Sequence, residues 1–352
     1  MKRGEWLACV LVCGLWWLET PATLSAAQLE ALPEGETGIA SMYPGDAGIG
    51  KDAAVLFAHD FENDANASDL RRVWDTVFHD ETIRITEAPE DVHAGRKALE
   101  LTFPRRDGDV GNGLMKRLAE ERDTLYLRFY EKMDKELNIK GAGSFHNGGA
   151  ISARYHINGG STPGQRADGR NKFLVSYECS VYSDAPPPGH LSVYVYHPEQ
   201  RQSYGDIFFP TGIVQPNTSL PHQFGDQFVP RPNVLPALGR YTCYEFMVRA
   251  NTPGARDGRI ACWVDGKLVA DYPNLRLRDV PSLKIDVLTI GGYINPNRVR
   301  TNTLWFDDVV AASSYIGPMR RLEPKRDQAQ TVKKATKPRA ESPSPTRNEL
   351  GS

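Results

Sequence analysis

Cysteine is scarce in this chain and net charge scarcer. Five of its 352 residues are cysteine, and Cys9 and Cys13 fall in an apolar leader. Cys179, Cys243 and Cys262 remain, an odd number that admits at most one intramolecular disulfide. The formal charge of −2 singles out no charged partner. No phosphate loop, zinc-ligand spacing or nucleic-acid motif occurs, so no nucleic-acid partner is expected. Internal repeats are missing too. The apolar run from Trp6 to Leu18 is too short for a comfortable membrane span. It follows Lys2 and Arg3 and precedes Ser25-Ala26-Ala27, the pattern of a secretory signal peptide over 1–27. Cys13 follows Val12 rather than a small residue, which argues against lipoprotein cleavage. A secreted or periplasmic protein with no membrane attachment after signal cleavage is the expectation. Helical periodicity is nearly absent, with "LMKRLAEERD" (114–123) read as the one short helix.

What is present is a long series of short alternating segments. Residues 28–53 carry no pattern and read as a linker or loosely packed arm. From "AVLFAHDFEN" onward, strands are expected near 55–61, 82–86, 97–103, 125–132, 149–156, 173–178, 191–197, 241–250, 259–264, 267–271, 284–291 and 303–311. Asp265-Gly266 fits a two-residue hairpin turn between "IACWV" and "KLVAD". Many strands at regular spacing predict an all-β sandwich of two antiparallel sheets over 54–318. Beyond it, from Arg320 on, nine Lys/Arg against four Asp/Glu give a net of +5 without apolar periodicity. That composition predicts a disordered basic tail over 319–352. The proline-rich stretch 198–240 is long enough to form a wall or lid beside the strand before it.

Several strands oppose a polar face to an apolar one. In "LSVYVYHP", Val193 and Val195 point one way and Tyr194 and Tyr196 the other. The two tyrosine Cα atoms then lie about 6–7 Å apart by strand rise. In "AISARYHI", Ser152, Arg154 and His156 share a face opposite Ile151, Ala153 and Tyr155. Ser176 and Glu178 alternate with Val175 and Tyr177, while His197 opens the long loop. "IKGAGSFHNGG" brings Lys140, His146 and Asn147 into a glycine-rich approach to the Ser152 strand. Each feature alone has a bland use: tyrosine packs well on pleated surfaces, and a strand arginine is usually solvated or ion-paired. Cys243 and Cys262 fall near register across the hairpin, where a disulfide is one option.

Together, "GGAISARYHINGG", "LSVYVYHPEQRQSYGD" and "YTCYEFMVRANTPGARDGRIACWVDGKLVADYPNLRLRD" resemble successive blocks of polysaccharide lyase family 14 over roughly 125–310. The resemblance implies a concanavalin A-like jelly roll that cleaves an alginate- or glucuronan-like uronan by β-elimination. It places Ser152, Arg154, Tyr194 and Tyr196 at active-site positions. Lys140 matches the first basic position of the family's lysine stretch, and Gly143 stands where the second lysine falls. His146 and Asn147 are the substitutes that stretch offers.

Elimination needs the substrate carboxylate neutralised, a base for the C5 proton and an acid for the leaving O4. Arg154 suits the first task because guanidinium pairs bidentately with carboxylate, with Asn147 or His146 sharing it. Tyrosine suits the other two if its ordinary pKa of about 10 is lowered by a nearby cation. His156, Glu178 and His197 are candidate substrate-binding residues. An acidic polysaccharide acted on by a monomer, with no required cofactor, is the expected partner arrangement. A noncatalytic carbohydrate-binding module on the same fold is the alternative. A hydrolase would need two facing carboxylates, whereas Glu178 and Glu245 sit on separate strands. Asp60 and Asp307, on strands expected to pair, are weak candidates for a structural Ca²⁺.

Overall fold

A computed structural model describes residues 29–157, 160–182, 185–321 and 351. The expected signal peptide and nearly all of the basic tail lie outside the described residues. Two antiparallel sheets make up the body. One runs in space Lys267–Leu275, Gly258–Val264, Tyr241–Arg249, Thr124–Met133, Asn302–Ala312, Ala98–Phe103 and Ile83–Thr86, with Val55–His59 also on Asn302–Ala312. The other runs Val214–Gln215, Asp206–Phe208, His190–Tyr196, Phe173–Ser180, Gly149–Ala153, Ile285–Asn295, Val110–Arg122 and Thr76–Phe78, with Ser144–His146 also on Ile285–Asn295. This is the expected jelly-roll sandwich.

Alternation builds the core. Ile151, Val175, Val195 and Leu288 stand in register across four strands and face inward. Val193 joins them, and Leu127, Phe129, Phe246 and Val248 answer from the opposite sheet. The same parity turns Ala150, Ser176, Tyr194 and Tyr196 outward.

Three sequence expectations change. Residues 114–123 are not helical: all but Asp123 belong to the strand Val110–Arg122, hydrogen-bonded to Ile285–Asn295 on one side and Thr76–Phe78 on the other. Ladder pairing on both sides overrides the helix propensity of Leu, Lys, Arg and Glu. Cys243 and Cys262 are both free: Cys262 pairs with Phe246, three residues beyond Cys243, so the two thiols occupy opposite faces of the sheet. The patternless segment before Val55 is no loose arm. From Pro33 on it forms short 3-10 turns, at Ile39–Met42, Pro44–Asp46 and Ile49–Lys51, packed on the eight-stranded sheet.

That segment supplies the carboxylate for a buried cation. Asp46 pairs with Arg128, whose side chain is fully buried and also donates to the carbonyls of Asp308 and Gly317. Trp263 donates to the Pro33 carbonyl at 2.8 Å, closing the same region. Removing one partner of a buried pair strands the other charge. Asp46→Ala should therefore destabilise the protein by about 3–5 kcal/mol, seen as a lower denaturant midpoint. An unchanged midpoint would show that this segment contributes nothing to the sandwich.

Candidate active site

The strands Phe173–Ser180 and His190–Tyr196 carry Ser176, Glu178, Tyr194 and Tyr196 on the outward face, with Ser176 directly opposite Tyr194. Beside them, Ser144–His146 pairs with the end of Ile285–Asn295, setting His146 opposite Tyr293. The chain then turns into Gly149–Ala153 through Gly148, whose φ of +78° and 2.4 Å Cβ approach to the Tyr177 carbonyl leave room only for glycine. This turn sorts the preceding side chains. Phe145 and Asn147 go to the interior while His146 faces outward, half-buried.

Above this face lies a cavity of about 850 Å³. That is within the range of about 300–1,000 Å³ common to ligand sites. Its floor is Glu178, Tyr194 and Tyr196, with His146 and Tyr293 to one side. Gln202, Tyr204 and Gly205 of the long loop form a wall, as the position of that loop after Tyr196 suggested.

His146 and Glu178 form the polar centre. His146 Nδ1 lies 2.9 and 3.0 Å from the two Glu178 oxygens, and Ser176 Oγ donates to the same carboxylate at 2.8 Å. A carboxylate only accepts, so Nδ1 carries the hydrogen and Nε2, 3.0 Å from Ser144 Oγ, keeps its lone pair in the neutral ring. Burial by itself would lower the imidazole pKa, but the charge and hydrogen bond of Glu178 outweigh it, and the pKa is raised above 6.5. The ring centroid is 5.2 Å from that of Tyr194 and 5.9 Å from that of Tyr293.

The two phenols are joined, with Tyr194 Oη 3.3 Å from Tyr196 Oη. Backbone N–H groups support each: Gly205 donates to Tyr194 and Gly164 to Tyr196, both at 3.2 Å. Tyr196 is fully buried beneath its neighbours, whereas Tyr194 is only partly so. Burial, then the hydrogen bond to Tyr196, pushes the Tyr194 pKa far above 10, so its proton stays on at neutral pH. Beneath the rings of Tyr155 and Tyr196, each 4.9 Å from its ammonium, Lys172 donates to the Thr162 carbonyl and hydroxyl. Burial lowers its pKa to about 8.

Of the residues expected at the site, His146, Glu178, Tyr194 and Tyr196 are brought together. The others are placed elsewhere. Arg154 has φ +51°, a left-handed residue that ends the strand. Its guanidinium points out to the Ser282 carbonyl at 2.8 Å, and its N–H donates to Asp286. Alternation therefore restarts after it, and Tyr155, expected on the opposite face, lines the cavity instead. Ser152 lies 3.4 Å from buried His156, whose pKa burial lowers to about 4; neither reaches the cavity. Asn147 binds Glu131 and the Cys179 N–H inside the sandwich. Burial pushes the Glu131 carboxyl up to about 8. His197 faces the core, 2.9 Å from Asp206. Lys140 is exposed beside a separate apolar depression. Glu245, on the other sheet, accepts from the N–H groups of Ile316 and Gly317, so no facing carboxylate pair forms with Glu178. Sequence reasoning missed Tyr155, Gln202, Tyr204, Tyr293 and Asn295 as lining residues. Only the length of the loop hinted at Gln202 and Tyr204.

His93, Asp307 and Asp308 present ligand atoms within 4.8 Å of one another. Asp307 already accepts from the N–H groups of His93 and Ala94, and Asp308 from the His93 ring at 2.7 Å. Asp60 is not part of this group; it accepts from Glu62 in an exposed turn. Among the described residues no helix is long and apolar enough to cross a membrane.

No family model and no curated protein sequence matches the chain. Solved structures do resemble it. A double variant of alginate lyase Aly36B bound to alginate tetrasaccharide superposes with TM-score 0.52 at 13% identity, covering 76% of this chain and 100% of that one. A second Aly36B variant, bound to alginate trisaccharide, gives 0.53 at 14% over 75% of this chain and 100% of that one. Alginate lyase vAL-1 from Chlorella virus gives 0.51 at 12% identity over 74% and 100%. The likeness is one of fold: this chain has the jelly-roll architecture of those lyases.

Proposed function

We propose that this protein is a secreted polysaccharide lyase that cleaves a uronic-acid-containing polysaccharide by β-elimination in the Tyr194/His146 cavity. The observation that carries the reading is the His146–Glu178 pair beside the protonated Tyr194. A stacking platform for sugars uses tyrosines but has no need of a carboxylate-oriented imidazole next to them. The alginate lyases of the same fold support the reaction class by analogy.

In this mechanism His146 Nε2 takes the C5 proton, aided by Glu178, which stabilises the imidazolium through Nδ1. The C5 electron pair forms the C4–C5 double bond as the C4–O4 bond breaks. Tyr194 Oη gives its proton to the departing O4. The phenolate left behind is held by the Gly205 N–H, which donates to Tyr194 Oη, then regains a proton as imidazolium and water reset the site. Hydrogen bonds from the lining amides of Gln202 and Asn295 to the uronate carboxylate acidify C5, the part expected of Arg154.

A pH profile tests the assignment. A base must be unprotonated, so kcat/KM should rise with pH through a pKa above 6.5, the direction in which Glu178 moves His146. Glu178→Gln removes that charge and leaves burial to act, so the limb should move to lower pH while the maximum rate falls. A limb unmoved by Glu178→Gln would assign the base elsewhere. The same shift has a stability sign. His146 titrates higher folded than unfolded, so the pair stabilises the fold fully below about pH 6.5 and that contribution fades as pH rises through the folded value.

A further inference from the structure

We infer that the cavity selects a heteropolysaccharide whose uronate residues are separated by uncharged sugars, over a polymer bearing a carboxylate on every ring. This deepens the elimination reading above and rests on it for the one uronate at His146. The carrying observation is the charge of the lining. Among the described residues no lysine or arginine lines the cavity, and two carboxylates, Asp109 and Glu178, do. Among the described residues His146 is the sole lining residue able to carry positive charge, and it faces Glu178 at 2.9 Å.

The neighbouring cations are committed elsewhere. Arg154 bonds the Ser282 carbonyl, and Arg106 directs its guanidinium to the carbonyl of the lining residue Asp109. Lys172 is screened from the cavity by the rings of Tyr155 and Tyr196 and bonded to Thr162. Lys140 borders the other depression. Gln202 and Asn295 line the cavity with neutral amides that can donate to one carboxylate. Each further carboxylate drawn into the cavity would lose hydration without gaining an ion pair, and would meet Asp109 or Glu178 at like sign. The rest of the lining suits uncharged rings. Tyr155, Tyr182, Tyr204 and Tyr293 offer flat apolar faces for sugar C–H groups and hydroxyls for their oxygens.

The test compares the full-length protein on two polymer classes at equal uronate concentration. Alginate and glucuronan are acidic at every ring; hyaluronan and gellan alternate or dilute glucuronate with uncharged sugars. Initial rates are read from the near-ultraviolet absorbance of the unsaturated product, and binding by calorimetry. The spaced-uronate polymers should be cleaved at least about tenfold faster and bound correspondingly tighter, tenfold being about 1.4 kcal/mol. Asp109→Lys should narrow that ratio by raising the rate on the homopolymers. Equal or faster cleavage of alginate or glucuronan would overturn the inference and leave the lyase reading standing. Absence of unsaturated product from all four would overturn the lyase reading. In that case the binding arm still decides the charge preference: tighter binding of the spaced polymers supports it and tighter binding of the homopolymers ends it.

Discussion

Replacing His146 by glutamine should lower turnover by about 10²–10⁴-fold, the usual worth of a positioned general base, with oligosaccharide binding nearly intact. Glutamine still donates to Glu178, so the buried carboxylate keeps a partner and the fold should survive. The loop bearing His146 is anchored independently, by Asn147 on Glu131 and on the Cys179 N–H. Loss of rate would therefore report on the imidazole rather than on misfolding. Arg154→Ala is the matching control. Its guanidinium lies outside the cavity, so its removal should leave turnover within a few-fold of wild type. A collapse of rate in Arg154→Ala with His146→Gln unaffected would reverse the assignment.

Tyr194→Phe should also cost about 10²–10⁴-fold in turnover while the ring remains for stacking. Tyr196→Phe should cost less, because Tyr196 is fully buried and reaches the reaction by holding Tyr194 Oη at 3.3 Å. The Tyr194 change also leaves the Gly205 N–H without its acceptor. A loss of about 1–3 kcal/mol in stability should accompany it, the cost of an unpaired donor in a buried setting. Turnover and stability thus fall together in Tyr194→Phe but by very different factors. Full turnover in both tyrosine variants would remove the phenols from the chemistry.

The sandwich was legible because its strands alternate on a two-residue period over residues such as Leu191 to Tyr196, and that period is set by backbone geometry alone. Residues 114–123 misled because Leu, Lys, Arg and Glu favour helix locally, and only the neighbouring strands make the segment extended. The tyrosine face was readable by the same alternation, as was the outward side of Glu178. Arg154 was not: one left-handed residue, with nothing in its side chain to announce it, resets the parity and exchanges Arg154 for Tyr155 at the cavity. The pairing of His146 with Glu178 joins residues 32 apart in sequence through sheet register, which no local pattern encodes. Asn147 shows the reverse case, a polar residue in a glycine-rich loop that serves a buried carboxylate instead of a substrate.

The most direct measurement of the central claim is the chemistry of the new chain end. The full-length protein is incubated with uronans of both classes, and the products are examined by near-ultraviolet absorbance and mass. Elimination predicts oligosaccharides ending in a C4–C5 unsaturated uronate, formed by the wild type and nearly absent with His146→Gln. Saturated ends would mean hydrolysis, and intact polymer that is bound but uncut would mean a carbohydrate-binding protein; either result contradicts the lyase mechanism.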